Sequence, residues 1–165
     1  MDEDQLADLQ RINWLCQGNT EAVQFCSMLW DMVATYDDII DADNPSHSEL
    51  HVHAMMYSAL FGLPYNKFYA ANFALLNPLM MNAVANWRIA NEVERQYRIL
   101  PVEERASKVA DLHFSFIIRS SYIDILRMVA FIVGGDAHSI QAGIELRRYV
   151  HAEGLDSYLT EMQGE

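Results

Sequence analysis

Apolar positions recur along this chain at helical spacing, and clusters of Gly, Pro and Asn cut the pattern into segments. The stop or start signals are Gly18-Asn19-Thr20, Asn44-Pro45-Ser46, Gly62-Leu63-Pro64, Asn77-Pro78, Leu100-Pro101, Gly134-Gly135-Asp136 and Gly154. A first helix is predicted from about Asp4 to Gln17. In the second, from Thr20 to about Asp43, Phe25, Leu29, Val33, Tyr36 and Ile40 return every three or four residues and form its apolar stripe. Ser46-His47-Ser48-Glu49 has capping-box order, in which the serine caps a backbone amide and the glutamate reaches back, so a third helix should start there and run to Phe61. A fourth follows Pro64. Pro78 should kink or break it, because proline lacks the amide donor and restricts Asn77, before a continuation through Arg95. Pro101 suits a first-turn position, with Glu103 and Glu104 near the positive helix end, and opens an apolar helix to about Val133. Asp136 can cap a last substantial helix to about Ala152. The expectation is an all-α protein, a single compact helical bundle of about six helices over residues 1–165.

Composition supports a real core, since 52% of the residues are hydrophobic. Eleven Lys and Arg stand against 23 Asp and Glu, a net charge of -12, which argues against direct binding to nucleic acid or to an anionic membrane. The same charge suits a basic protein partner or a concentration of cations around a phosphate site. Cys16 and Cys26 form no C-x-x-C pair and read as buried thiols in a reducing cytosol, where a bond between them is neither demanded nor excluded. Met1-Asp2-Glu3-Asp4 is acidic where a signal peptide is basic, and Phe114 to Val133 is interrupted by Arg119, Asp124 and Arg127, so neither export nor a membrane span is expected.

Candidate chemistry concentrates in Asp37-Asp38-Ile39-Ile40-Asp41-Ala42-Asp43, four carboxylates in seven residues beside two isoleucines of the kind usually buried. On a helix Asp38 and Asp41 lie one turn apart, Asp37 flanks them, and Asp31 lies two turns back near the azimuth of Asp38. Mg²⁺ takes hard oxygen ligands, keeps several waters and commonly uses one or two carboxylates with phosphate oxygens. Asp38 and Asp41 are therefore the first metal-ligand candidates, with Asp31 and Asp37 in support. The bland alternative is a solvated helix end, although acids are disfavoured there by the negative end of the helix dipole. Ser27, Asp31, Ala34, Asp38 and Asp41 form a small and acidic stripe, and no basic residue occurs between Thr20 and Asp43.

Two further constellations lie downstream. Asn82, Asn86 and Ala90 follow one another at one-turn spacing, with Glu94 a turn beyond; an Asn carbonyl can ligate a hard metal, or the amides can simply bond between helices. Arg119, with Ser115 and Tyr122, sits on an otherwise apolar segment, and a buried guanidinium there needs a carboxylate or a phosphate. His47 and His51 have i, i+4 spacing but lack the H-E-x-x-H order of a zinc site, and Leu79-Met80-Met81 and Tyr65-Asn66-Lys67-Phe68-Tyr69 read as core.

Asp37-Asp38-Ile39-Ile40-Asp41 resembles the D-D-x-x-D motif of class I isoprenoid (terpene) synthases, all-helical enzymes whose aspartates bind Mg²⁺ and diphosphate. Asn86, Ala90 and Glu94 are similar in spacing to that family's second motif, N-x-x-x-S/T-x-x-x-E, with Ala90 in place of the hydroxyl residue. The resemblance implies Mg²⁺ as cofactor and a phosphate-containing small molecule as ligand. Leu29-Trp30-Asp31, Tyr36 to Asp41, Asn77 to Glu94 and Arg119 to Asp124 together resemble small helical proteins encoded by tailed phages. That second likeness implies a place in the host cytoplasm.

Two functions follow as expectations. In the first, a Mg²⁺-dependent protein binds or hydrolyses a phosphate or diphosphate ester: Asp31, Asp38 and Asp41 hold the metal with Asn86 as a secondary ligand, Asp37 orients water and Arg119 neutralises phosphoryl charge. In the second, a non-enzymatic acidic protein docks on a basic host or virion protein surface. A homodimer that completes a site across a two-fold interface is compatible with either.

Overall fold

The computed structural model describes residues 3–41, 49–152 and 154–164. It is all-α as expected, with no strand among the described residues. The helices are α1 (Glu3–Leu15), α2 (Thr20–Asp41), α3 (Glu49–Tyr57), α4 (Leu63–Tyr65), α5 (Lys67–Ile99), α6 (Val102–Arg105), α7 (Val109–Ile118), α8 (Tyr122–Val150) and α9 (Gly154–Gly164). A π-helical turn, Ser58–Gly62, joins α3 to α4, and a 3₁₀ turn, Ala106–Lys108, joins α6 to α7. The proposed capping box at Ser46, with His47 and Asp43, lies outside the described residues, as does the side chain of Asp41.

The chain forms two compact units, one made of Met1–Ala74 with Ile132–Gly135 and the other of Leu75–Phe131 with Asp136–Glu165. Breaks in the two long helices fall at or near the borders of these units. Gly135 takes φ 76° and ψ -170° inside α8, a backbone region that only glycine adopts readily, and the sequence places its Gly-Gly stop at this point. In α5 the break comes at Asn72 (φ -116°, ψ 15°), and Pro78 stays helical, contrary to the expected kink at proline. Asn72 Nδ2 donates to Phe68 O at 2.8 Å, so a side-chain amide takes the carbonyl that the helix would otherwise use.

In the first unit Phe25 is fully buried and stacks on Tyr69 at 5.5 Å between ring centroids, with Phe68 at 6.2 Å. Leu15, Cys16, Ala22, Cys26, Leu29 and Leu63 complete the buried set. Asn66 fastens this core. Its Oδ1 accepts from Tyr69 N at 2.8 Å, capping α5, while its Nδ2 donates to Glu21 O at 2.9 Å on α2. Gly62 lets the π-helical turn press on α2, since a Cβ there would stand 2.7 Å from Met28 Sδ.

The apolar stripe assigned to α2 holds only for its first half. Phe25 and Leu29 are buried and Val33 and Tyr36 half-buried, but Ile39 and Ile40 are 42% and 45% exposed. Tyr65 and Met81, expected to fill core, are exposed as well.

The second unit buries Tyr97, Leu112, Tyr158 and Met162 as one cluster, edged by Val93, Phe116, Leu155 and Leu159. Leu155, Tyr158, Leu159 and Met162 supply the inward face of α9, at spacings of three and four residues. The single helix expected from Pro101 to Val133 is interrupted. Ser120 Oγ and Ser121 Oγ donate to the carbonyls of Ile117 and Ile118 at 3.0 and 2.7 Å, which ends α7 and allows α8 to begin at Tyr122.

Candidate functional site

Charge divides unequally between the two units. Sequence positions of the first contain eleven acids against Arg11 and Lys67, a net of -9, whereas the second has twelve acids against nine basic residues, a net of -3. Helix α2 contributes Glu21, Asp31, Asp37, Asp38 and Asp41 to the first unit and no basic residue.

Beside α2 lies an open cleft of about 560 Å³, bounded on one side by Glu21, Ser27, Met28 and Asp31 and on the other by Gly62, Tyr65 and Asn66. Partial desolvation in the cleft wall raises the Asp31 carboxyl from its ordinary pKa, although the residue stays exposed to solvent. Glu21 Oε2 accepts from Lys67 N at 3.3 Å, which fixes the other carboxylate of the wall. Ser27 and Asp31 are members of the small and acidic stripe, so part of that stripe lines a concave surface.

Next to the cleft the chain exposes aromatic side chains. Tyr57 and Phe61 are 67% and 53% exposed, with ring centroids 5.7 Å apart across the start of the π-helical turn. Tyr65, four residues further on, is 82% exposed and forms part of the cleft wall. Leu50 and Leu60 add exposed aliphatic surface to the same α3 and π-helical segment. Single exposed apolar residues are ordinary, whereas these five large ones all fall within residues 50–65.

The second unit contains a partly buried polar network. Glu94 Oε1 accepts from Tyr158 Oη at 2.8 Å and from Ser115 Oγ at 3.1 Å, and Arg119 Nη1 stands 3.9 Å away. The Arg119 guanidinium also lies over the Tyr158 ring, 5.7 Å from its centroid. Burial raises the Tyr158 phenol well above its ordinary pKa, with Glu94 adding to the shift, so the group acts as a hydrogen-bond donor and not as an acid. Nearby, Ser120 Oγ lies 3.0 Å from His151 Nε2, and the His151 ring packs 4.6 Å from that of Phe116.

Apart from Asp41, whose side chain lies outside the described residues, the site residues proposed from sequence have defined positions. Asp31 lines the cleft of the first unit; Asp37 and Asp38 belong to the same helix, two turns from it. Asn86 and Arg119 belong to the second unit, where Asn86 Nδ2 donates to Ser121 Oγ at 2.8 Å and Arg119 faces Glu94. Glu94, the acid of the second-motif likeness, is held by two hydroxyl donors and one guanidinium, an environment that already supplies it with a cation. Among the described residues no three His, Cys, Asp or Glu side chains gather as a metal-holding group, and no helix is long and apolar enough to cross a membrane. Sequence reasoning missed Asn66, Tyr158 and His151. The helical spacing of Leu155, Tyr158, Leu159 and Met162 was the available signal for one of them. Comparisons with protein-family models, with curated proteins and with solved structures find no match for this chain.

Proposed function

We propose that this protein is a non-enzymatic acidic interaction protein whose first unit receives a basic, amphipathic segment of a partner protein. The observation that carries the reading is the exposed Tyr65 in a cleft whose other wall holds Glu21 and Asp31, with the exposed Tyr57–Phe61 pair just before it in the chain. Apolar side chains of the partner seat on the aromatic residues, and its Lys or Arg groups reach the acidic wall. A net charge of -9 on the same unit steers such a partner and accelerates encounter. A Tyr65 ring beside two carboxylates also suits a guanidinium, which can stack on the ring while pairing with an acid.

Binding of a fluorescent Lys/Leu amphipathic helical peptide tests the proposal. Affinity should fall about tenfold or more between low and physiological salt, and again in Glu21→Gln/Asp31→Asn. Equal binding by wild type and this double variant would count against it.

A second reading rests on Asp31, a carboxylate in a concave wall on the same helix as Asp38 and Asp41. There α2 alone holds Mg²⁺ with the phosphate of a small molecule, and Glu94 takes no part because its donors already occupy it. Calorimetric titration with Mg²⁺ and inorganic diphosphate checks it: saturable heat lost in Asp31→Asn and Asp38→Asn supports the reading, and no saturable heat removes it.

A further inference from the structure

Cys16 and Cys26 form a pair of free thiols in the first unit that the proposed docking surface does not use. Their sulfurs lie 3.7 Å apart, in hydrogen-bond contact, and both side chains are fully buried. We propose that this pair is a modification site, closing to an intramolecular disulfide when a low-molecular-weight disulfide oxidant enters the cavity at the turn between α1 and α2.

Local geometry provides the approach. A disulfide needs a sulfur separation near 2.05 Å, so the two atoms must draw together by roughly 1.7 Å, a movement that side-chain rotation and a small shift of the turn can supply. Cys16 is the first residue beyond α1 and precedes a turn that lies outside both helices. Gln17 takes φ 49° and Gly18 φ 74°, left-handed conformations, of which the one at Gln17 stores strain in a residue with a side chain. Cys26, in contrast, is held within α2. An open cavity of about 590 Å³ is lined by Cys16, Gln17, Gly18, Asn19, Phe68 and Asn72 among others, so residue 16 borders the cavity, with its side chain still covered, and Cys26 does not.

The order of the two thiols follows from this asymmetry. The Cys16 thiolate attacks one sulfur of the oxidant, whose S–S bond breaks and releases one thiolate, leaving a mixed disulfide on Cys16. Cys26 then gives up its proton to solvent and attacks the Cys16 sulfur, expelling the second thiolate. Two cysteine thiols lose two electrons and two protons, and one disulfide oxidant becomes two thiols. Hydrogen bonding to Cys16 and burial raise the Cys26 thiol well above its ordinary pKa, which keeps it protonated while Cys16 reacts first.

Incubation of the folded 165-residue chain with oxidised glutathione near pH 8, followed by intact-mass measurement and thiol counting, tests the site. The expected product is a monomer two hydrogens lighter, with no free thiol and a thermal midpoint several degrees higher, reversible by dithiothreitol. Cys26→Ser should stop at a single glutathione adduct, and Cys16→Ser should take none under the same conditions. Two free thiols retained in the native chain, or lost only to disulfide-linked dimers, would overturn the proposal. Adduct formation on Cys16→Ser at the wild-type rate would overturn the assigned order. If either serine variant fails to fold, the mass and thiol count of the wild-type chain decide the matter alone.

Discussion

Tyr158 donates its phenol proton to Glu94 across 2.8 Å, tying α9 to α5 inside the second unit. The same carboxylate oxygen accepts from Ser115 and faces Arg119. Removing it strands the buried Tyr158 hydroxyl and leaves Ser115 Oγ only its 3.3 Å bond to Ala90 O, so Glu94→Ala should lower stability by about 2–3 kcal/mol in urea unfolding. Tyr158→Phe, which removes one bond and leaves the ring packed, should cost about 1–2 kcal/mol. Equal losses for the two variants would show that the carboxylate does not organise the network.

Gly135 should be irreplaceable for a backbone reason. Nothing lies within 4 Å of a Cβ built there, so the cost of Gly135→Ala comes from φ 76° and ψ -170° and not from a clash. A loss of about 1–3 kcal/mol is expected. A neutral result in denaturant titration would mean that α8 is not broken at this residue.

Asn66→Ala removes both the cap on α5 and the tie to Glu21 O, bonds of 2.8 and 2.9 Å. The expected loss is about 1–2 kcal/mol. Asn66→Asp keeps the acceptor but loses the donor, so its stability should fall between those of wild type and the alanine variant.

His151 gives the second unit a pH dependence of defined sign. Burial first, and then the charges of Arg147 and Arg119, lower its pKa from the ordinary 6.5. Between the lowered value and 6.5 the unfolded chain binds more protons than the folded one, so stability rises with pH. The contribution is fully present above the unfolded value and is lost as pH falls through the folded pKa. Unfolding midpoints taken from about pH 7.5 down to about pH 5 should fall more in wild type than in His151→Asn. Parallel curves would remove His151 as the source.

The sequence made the helical class and most of the breaks legible because these are local properties. Gly134-Gly135 interrupts α8, and Gly62-Leu63-Pro64 separates α3 and its π-helical turn from α5. Pro78 misled because its missing donor is tolerated within α5, whereas Asn72 could break the helix by bonding Phe68 O. Ile39 and Ile40 look like core by type, yet whether an apolar side chain is covered depends on what packs against it, and here they are left exposed. Arg119 posed the same problem. Its need for a carboxylate was evident, but that Glu94 meets the need depends on how α5 and α7 fold together within the second unit.

Aromatic anchors and acidic charge are proposed to act together on the first unit. Fluorescence anisotropy of the Lys/Leu amphipathic peptide against wild type and Tyr57→Ser/Phe61→Ser measures this most directly, with thermal midpoints confirming that both proteins are folded. Loss of two exposed anchors should weaken binding roughly ten- to a hundredfold, while the steepness of the salt dependence is retained. Unchanged affinity in the double variant, or equal affinity for a Lys/Ser peptide of the same charge, would contradict the account.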